Sequence, residues 1–334
     1  MRGNVKSTID LSSDNYIIKV TVPTTPLNNA YQGGPFYGFG GIIMDKDSSH
    51  SVKVPTTFEE QINILRSRGL IIVDEDLAIR TLQRINYYRF SAYGLSLKQK
   101  DQFLPGTTFE QIVSLYEFDR RFRYLIMEMT EQVEISFRTH ISYYIAHTYG
   151  AMGHLDKKYF DNHDMFIIEL EKEILRSQEI FIKHHIEKYD GQIPVWVAIE
   201  VLSFGSLSKL FSNMTNDARN EIARRNYRVP AIYLGSWLKC LSYIRNICAH
   251  YGRLYNRPLT SKPRLDRKSK YIGFSQGKIF AHIYILKELI PDRKKWIDFI
   301  TRLDALITEY KEIIELDRIG FPEDWEAVLM TKQL

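Results

Sequence analysis

The sequence predicts an all-α protein, and three observations predict it. Apolar residues recur at spacings of three and four through most of the chain, which is the period of an amphipathic helix. Two capping boxes, Thr57-Phe58-Glu59-Glu60 and Thr108-Phe109-Glu110-Gln111, open such stretches, each offering a hydroxyl and a carboxylate or amide to the orphan N–H groups of a first turn. Strand-like character is confined to one short stretch, Asn15 to Val22.

Taken in order, residues 1–52 read as a flexible or loosely docked extension, broken by Pro23, Pro26 and the glycine-rich Y-Q-G-G-P-F-Y-G-F-G-G (31–41). Residues 53–105 read as a smaller helical lobe. A first helix carries Ile62, Leu65 and Leu70 and stops at Gly69; Asp74 caps a second, with Leu77, Leu82 and Ile85, which ends in the aromatic cluster Asn86 to Phe90 flanked by Arg84 and Arg89. Basic residues among tyrosines can stack bases, although packing at a helix end is the commoner meaning. A connector at 98–106 leads into residues 106–334, a larger helical domain.

That domain opens with a long helix from Thr108 to Gly150, striped by Ile126, Met129, Val133, Phe137, Ile141 and Tyr144. Glu131, Glu134 and Arg138 flank the stripe, and Arg120, Arg121 and Arg123 form a basic edge near its start. Glu134 and Arg138 make an i,i+4 pair. Residues 164–189 read as one further helix, Pro194 as the start of another, Asp217 as the start of a short one, and Pro230 as the restart into a long apolar helix. Helices are then expected at 278–290 and 293–316, with Trp325 to Leu329 folding back onto the body.

Composition excludes several classes. No apolar run reaches the ~18 residues of a membrane-crossing helix, and the first residues lack the apolar centre of a secretory signal, so a cytoplasmic location is expected. Cys240 and Cys248 would lie ~12 Å apart along one helix, too far for a disulfide, and are read as packing residues. His140 with His147, and His184 with His185, lack a third ligand at metal-site spacing. No phosphate-binding loop, zinc-protease helix or dinucleotide fingerprint occurs. No metal and no cofactor is expected. The net charge is only +5, but Arg253, Arg257, Lys262, Arg264, Arg267, Lys268 and Lys270 follow one another with Asp266 the single acid among them. Such a run suits a polyanion.

This basic run directly follows the hexamer Arg245-Asn246-Ile247-Cys248-Ala249-His250. On a helix from 231 to 251, Leu234, Trp237, Leu238, Leu241 and Cys248 share one stripe, facing a core or a partner. Arg245 shares it too, and a guanidinium placed there demands an anion or hydrogen-bond acceptors. A carboxylate of the long helix, Glu134 above all, is expected to meet it. Asn246 and His250 share a face, whereas Arg245 and His250 are about 140° apart on an ideal helix. The residue types suit RNA cleavage without metal. His250 can give or take a proton near neutrality, Arg245 can hold phosphate oxygens, and Asn246 can orient the imidazole or bind phosphate.

The segment R-N-I-C-A-H-Y-G-R-L-Y-N-R (245–257) resembles the R-N-x-C-A-H-x-x-R-L-x-N-R signature of the Abi family, bacterial abortive-infection proteins of the AbiD/AbiF type that carry a HEPN-like domain. P-T-T-F-E-E-Q-I-N-I-L-R-S-R-G-L (55–70), R-I-N-Y-Y-R-F-S-A-Y-G (84–94), E-Q-V-E-I-S-F-R-T (131–139) and F-P-E-D-W-E (321–326) agree with the family in the same order. The resemblance covers roughly residues 53–330. It implies a HEPN-like helical bundle after a winged-helix-like or small helical N-terminal lobe, and Arg245 and His250 as the catalytic R-x4-H pair with Asn246 beside them. It further implies a homodimer with two motifs lining one cleft, and in AbiF-like members control by a small noncoding RNA antitoxin.

The expectation is therefore a metal-independent endoribonuclease of phage defence or of a toxin–antitoxin system, leaving 2′,3′-cyclic phosphate and 5′-OH ends. Arg253, Asn256, Arg257, Lys262 and Arg264 would bind RNA, with Glu134 and Arg138 supporting Arg245 from behind. The rival expectation is a non-catalytic protein that binds or senses RNA in the same basic cleft.

Overall fold

The computed structural model describes residues 54–265 and 273–331. The extension 1–52 with its candidate strand, and Arg267, Lys268 and Lys270, lie outside the described residues. Helices dominate, as the apolar periodicity requires. In chain order they are α1 (Phe58–Ser67), α2 (Glu75–Arg84), α3 (Tyr87–Tyr93), α4 (Phe109–Tyr149), α5 (His163–Arg176), α6 (Ile180–Lys188), α7 (Val195–Ala198), α8 (Phe204–Asn213), α9 (Asn216–Tyr227), α10 (Ala231–Ala249), α11 (Ile279–Leu289), α12 (Arg293–Glu309) and α13 (Trp325–Met330). The two capping boxes form at Thr57–Glu60 and Thr108–Gln111.

Four expected elements differ. Asn86 does not lie inside the second helix: Ile85 turns extended and the Asn86 carboxamide accepts the Tyr88 N–H at 2.8 Å, starting α3. The connector is a hairpin, β1 (Lys98–Gln99) antiparallel to β2 (Gln102–Phe103), with Lys100 at φ +56° in its turn. The helix expected over 164–189 breaks at Ser177-Gln178-Glu179, whose backbone turns extended on both sides. The helix from Arg293 ends at Glu309 rather than 316, and the following residues form a short 3-10 turn at Leu316–Ile319 closed by Gly320 at φ +82°.

The spine is α4, which at 41 residues runs about 60 Å. Its residues Leu115, Phe118, Phe122, Ile126, Met129, Val133, Phe137 and Ile141 are fully enclosed. α10 packs against α4 and α8, while α11 and α12 pack along α4. The tail does fold back, with Trp325 and Leu329 buried and the Trp296 indole N–H donating to the Leu329 carbonyl at 2.9 Å. The stripe Leu234, Trp237, Leu238, Leu241 and Cys248 is buried within the one chain, none of it more than 6% exposed. It faces a core, so it leaves no apolar face there for a second copy to cover. No described helix is long and apolar enough to cross a membrane.

Candidate active site at the end of α10

Arg245 stands where the buried stripe of α10 meets solvent, its side chain about one-third exposed. From the facing α4, Glu134 places Oε2 at 3.3 Å from the Arg245 Nε. Its other oxygen accepts from Arg138 at 2.6 Å. Glu134 is only 7% exposed. Arg138 in turn donates to the carbonyls of Ile199 (2.5 Å), Glu200 (3.3 Å) and Leu202 (2.7 Å) at the end of a helical turn. The Glu134–Arg138 pair is thus no exposed surface pair; both side chains are nearly buried and fixed at the backbone. The chain from carbonyls to Arg138 to Glu134 to Arg245 pins one edge of the Arg245 fork. The Arg245 Nη1 donates to the Asn246 Oδ1 at 3.4 Å.

His250 caps α10 and is exposed, with its N–H donating to the Asn246 carbonyl at 3.0 Å. The chain then turns through Tyr251 at φ +57°, whose carbonyl accepts from the Arg89 guanidinium of α3. The N-terminal lobe therefore reaches the residue next to His250.

Beneath the turn lies Asp119 of α4, fully enclosed. It accepts the Leu254 N–H at 3.0 Å and the Tyr255 N–H at 2.7 Å, the Tyr93 hydroxyl at 2.7 Å, and the Arg123 guanidinium. One buried carboxylate so locks the loop after the hexamer to α4 and α3. Burial pushes the Asp119 carboxyl above its ordinary value, against the opposing pull of Arg123 and the hydrogen bonds. Burial also raises the Tyr93 hydroxyl and pushes the Cys248 thiol up to about 12, so that thiol stays protonated and acts in packing. Arg123 is therefore no part of a basic edge, and Arg120 and Arg121 are paired with Glu117 and Glu309.

The basic residues after the hexamer divide into two groups. Arg253 is half-buried and donates to its own loop's Tyr255 (2.6 Å) and Asn256 (3.1 Å) carbonyls; burial lowers its pKa. Asn256 holds φ +49°, and Arg257 sits 3.5 Å from the Arg253 carbonyl. These remain close to the hexamer. Lys262 and Arg264 are exposed but carried back along α10, because Ser261 meets Cys240 at 3.2 Å and the Arg264 backbone meets Ser236 (2.9 Å) and Trp237 (2.7 Å). Ser236 lies nine residues before Arg245, about 13 Å along the helix. His282 of α11 holds the same loop through the Ser261 carbonyl at 2.9 Å.

The Abi-like protein family matches residues 80–256, more than half of the chain. The chain belongs to that family. No curated protein and no solved structure matches it. Within the span shared with the Abi-like family lie Asp119, Glu134, Arg138 and the hexamer, whereas Arg257, Lys262 and Arg264 lie beyond it. Sequence reasoning missed Asp119 and Tyr93, and it read the buried Arg123 as part of a basic edge. A signal existed: Asp119 falls on the apolar stripe of Leu115, Phe122 and Ile126, with Arg123 four residues on. A carboxylate on a buried stripe of this Abi-like chain needs partners as much as Arg245 does.

Proposed function

We propose that this chain is a metal-independent endoribonuclease acting in abortive infection, the general role that membership of the Abi-like family supports. The observation that carries the reading is the clamp on Arg245. Glu134 takes its Nε edge, and the side chain stays about one-third exposed near the end of α10, five residues before the exposed C-cap His250. A guanidinium fixed along one edge is oriented before substrate arrives, which is the condition for stabilising charge on a phosphate.

In this reading the ribose 2′-oxygen attacks phosphorus, the P–O5′ bond breaks, and a 2′,3′-cyclic phosphate and a 5′-hydroxyl result. His250 takes the 2′-hydroxyl proton or returns one to the 5′-oxygen. Arg245 holds the non-bridging oxygens, and Asn246 positions the imidazole or the phosphate. Arg257, Lys262 and Arg264 bind backbone phosphates, with the last two following α10 away from the cut. Arg253 and Asn256 shape the loop that presents them. Two copies acting together, and a small RNA that restrains the protein, belong to the same proposal; sedimentation and RNA co-purification test them.

The deciding experiment incubates the full chain with cellular RNA and with matched DNA in EDTA, beside His250→Ala. RNA cut to cyclic phosphate ends, DNA left intact and no cutting by the variant are expected. RNA retained equally by both proteins, with no cutting by either after removal of co-purified RNA, would replace this reading with non-catalytic RNA binding.

A further inference from the structure

The residue after His250 occupies a backbone position that suits it poorly. His250 is the C-cap of α10, and Tyr251 beyond it has φ +57°. The Tyr251 N–H donates to the Cys248 carbonyl at 3.0 Å and the Gly252 N–H to the Ile247 carbonyl at 2.8 Å. These are the paired bonds of a Schellman ending, whose left-handed residue is usually glycine because a Cβ there crowds the backbone. Here the glycine comes one residue late, and a large aromatic side chain carries the strain.

Packing within the chain does not offset that strain. The Tyr251 residue is 64% exposed, and its ring and hydroxyl have no stacking or hydrogen-bond partner among the described residues. The surroundings instead hold the backbone in place, through Arg89 on the Tyr251 carbonyl and Asp119 on the N–H groups of Leu254 and Tyr255. Strain that persists in a rigidly held exposed residue points to something the side chain meets outside the chain. The charge around it narrows the choice. No acidic residue occurs from Arg245 to Pro258, while Arg245, Arg253 and Arg257 do, and the Arg89 guanidinium lies on the Tyr251 carbonyl. A flat ring in cationic surroundings, beside an exposed imidazole, matches a ligand that is itself flat and carries phosphates.

We infer that Tyr251 forms a stacking subsite for one unpaired nucleobase of a single-stranded nucleic acid, adjoining the phosphate that Arg245 holds. Its placement rests on the ribonuclease reading, but its existence is a matter of binding alone. Unpaired bases expose a face to an aromatic ring and duplex bases do not. The ring is indifferent to the 2′-hydroxyl, so single-stranded DNA serves as a probe that the proposed chemistry leaves uncut.

The test measures binding of a labelled single-stranded DNA oligonucleotide and its duplex to the full chain by fluorescence anisotropy, for wild type, Tyr251→Phe and Tyr251→Gly. Single-strand binding is expected to hold in Tyr251→Phe and to weaken at least about fivefold in Tyr251→Gly. Duplex binding should change little in either. Tyr251→Gly should also melt at a higher temperature than wild type, because glycine relieves the left-handed strain, so weaker binding cannot be blamed on misfolding. Equal single-strand affinity in wild type and Tyr251→Gly, or equal losses for single strand and duplex, overturns the subsite even where RNA is cleaved. Absence of RNA cleavage by wild type, with the Tyr251 dependence intact, sinks the ribonuclease reading and leaves the subsite standing.

Discussion

Glu134 sits between two arginines, with Oε2 3.3 Å from the Arg245 Nε and Oε1 2.6 Å from Arg138. The two guanidiniums differ in what they do next. Arg138 is tied to three backbone carbonyls, while Arg245 keeps part of its fork toward solvent. Glu134 therefore links a fixed anchor to the group proposed to hold phosphate.

Replacing Glu134 by Gln should keep an acceptor but weaken the hold on Arg245. RNA cleavage is expected to fall about 10- to 100-fold, the scale of losing orientation of one charge-stabilising group. Stability should fall by only about 1–3 kcal/mol, less than for a fully buried broken pair, because Arg138 keeps its carbonyls and Arg245 reaches water. Single-turnover cleavage and urea unfolding of the same preparation check both numbers. Wild-type cleavage in Glu134→Gln would show that the clamp does not serve the reaction.

Asp119→Ala should be far more damaging to the fold. It strands the Arg123 charge and orphans the Leu254 and Tyr255 N–H groups inside the protein, a loss of about 3–5 kcal/mol. Asp119→Asn, which can still accept from one side, should cost less. Urea midpoints for the three proteins give the order; equal midpoints for wild type and Asp119→Ala would remove the latch from the account.

Acid should destabilise the protein before its carboxylates titrate. Burial lowers the pKa of both His154 and His282 to about 4, against about 6.5 in an unfolded chain. The folded state keeps these imidazoles neutral while the unfolded state takes up protons. Their contribution is thus complete above pH 6.5 and is lost as pH falls from 6.5 toward 4, by up to about 3 kcal/mol for each. Urea midpoints at pH 7, 6 and 5 should decline in that order. A flat profile across this window would mean that both rings take up protons in the native protein as they do in the unfolded chain.

Cys240 and Cys248 are buried, with thiols pushed up to about 11 and about 12 by that burial. Iodoacetamide at pH 8 should modify neither in the native chain and both in urea, as mass spectrometry can count. Rapid native modification of Cys248 would mean that the end of α10 opens readily.

Much of the local structure is written in short-range signals. Two capping boxes, the apolar period of α4, Asp74 and Pro230 fixed where helices begin, because a cap acts within three or four residues of itself. The signals failed where one residue's preference competes with its neighbours. Asn86 looked like part of a helix end and instead caps α3, and the polar Ser177-Gln178-Glu179 looked helical within a periodic run that it in fact interrupts. The hexamer was legible as a motif because R-N-I-C-A-H-Y-G-R-L-Y-N-R resembles the Abi signature, with Arg245 interrupting an apolar stripe.

Its surroundings were decided only by tertiary structure. Sequence alone placed candidate carboxylates on a facing helix, but packing chose Glu134 for Arg245 and made the Glu134–Arg138 pair buried. Packing also turned the stripe of α10 into core rather than a face for a second copy, drew Lys262 and Arg264 back along the helix, and brought Asp119 under a loop 135 residues away. A helix period tells which residues face inward. It does not tell which helix they meet, since apolar burial is non-directional and is satisfied by many partners. The pairing of charged and backbone groups across α4 and α10 is directional, and it exists only once the chain has closed.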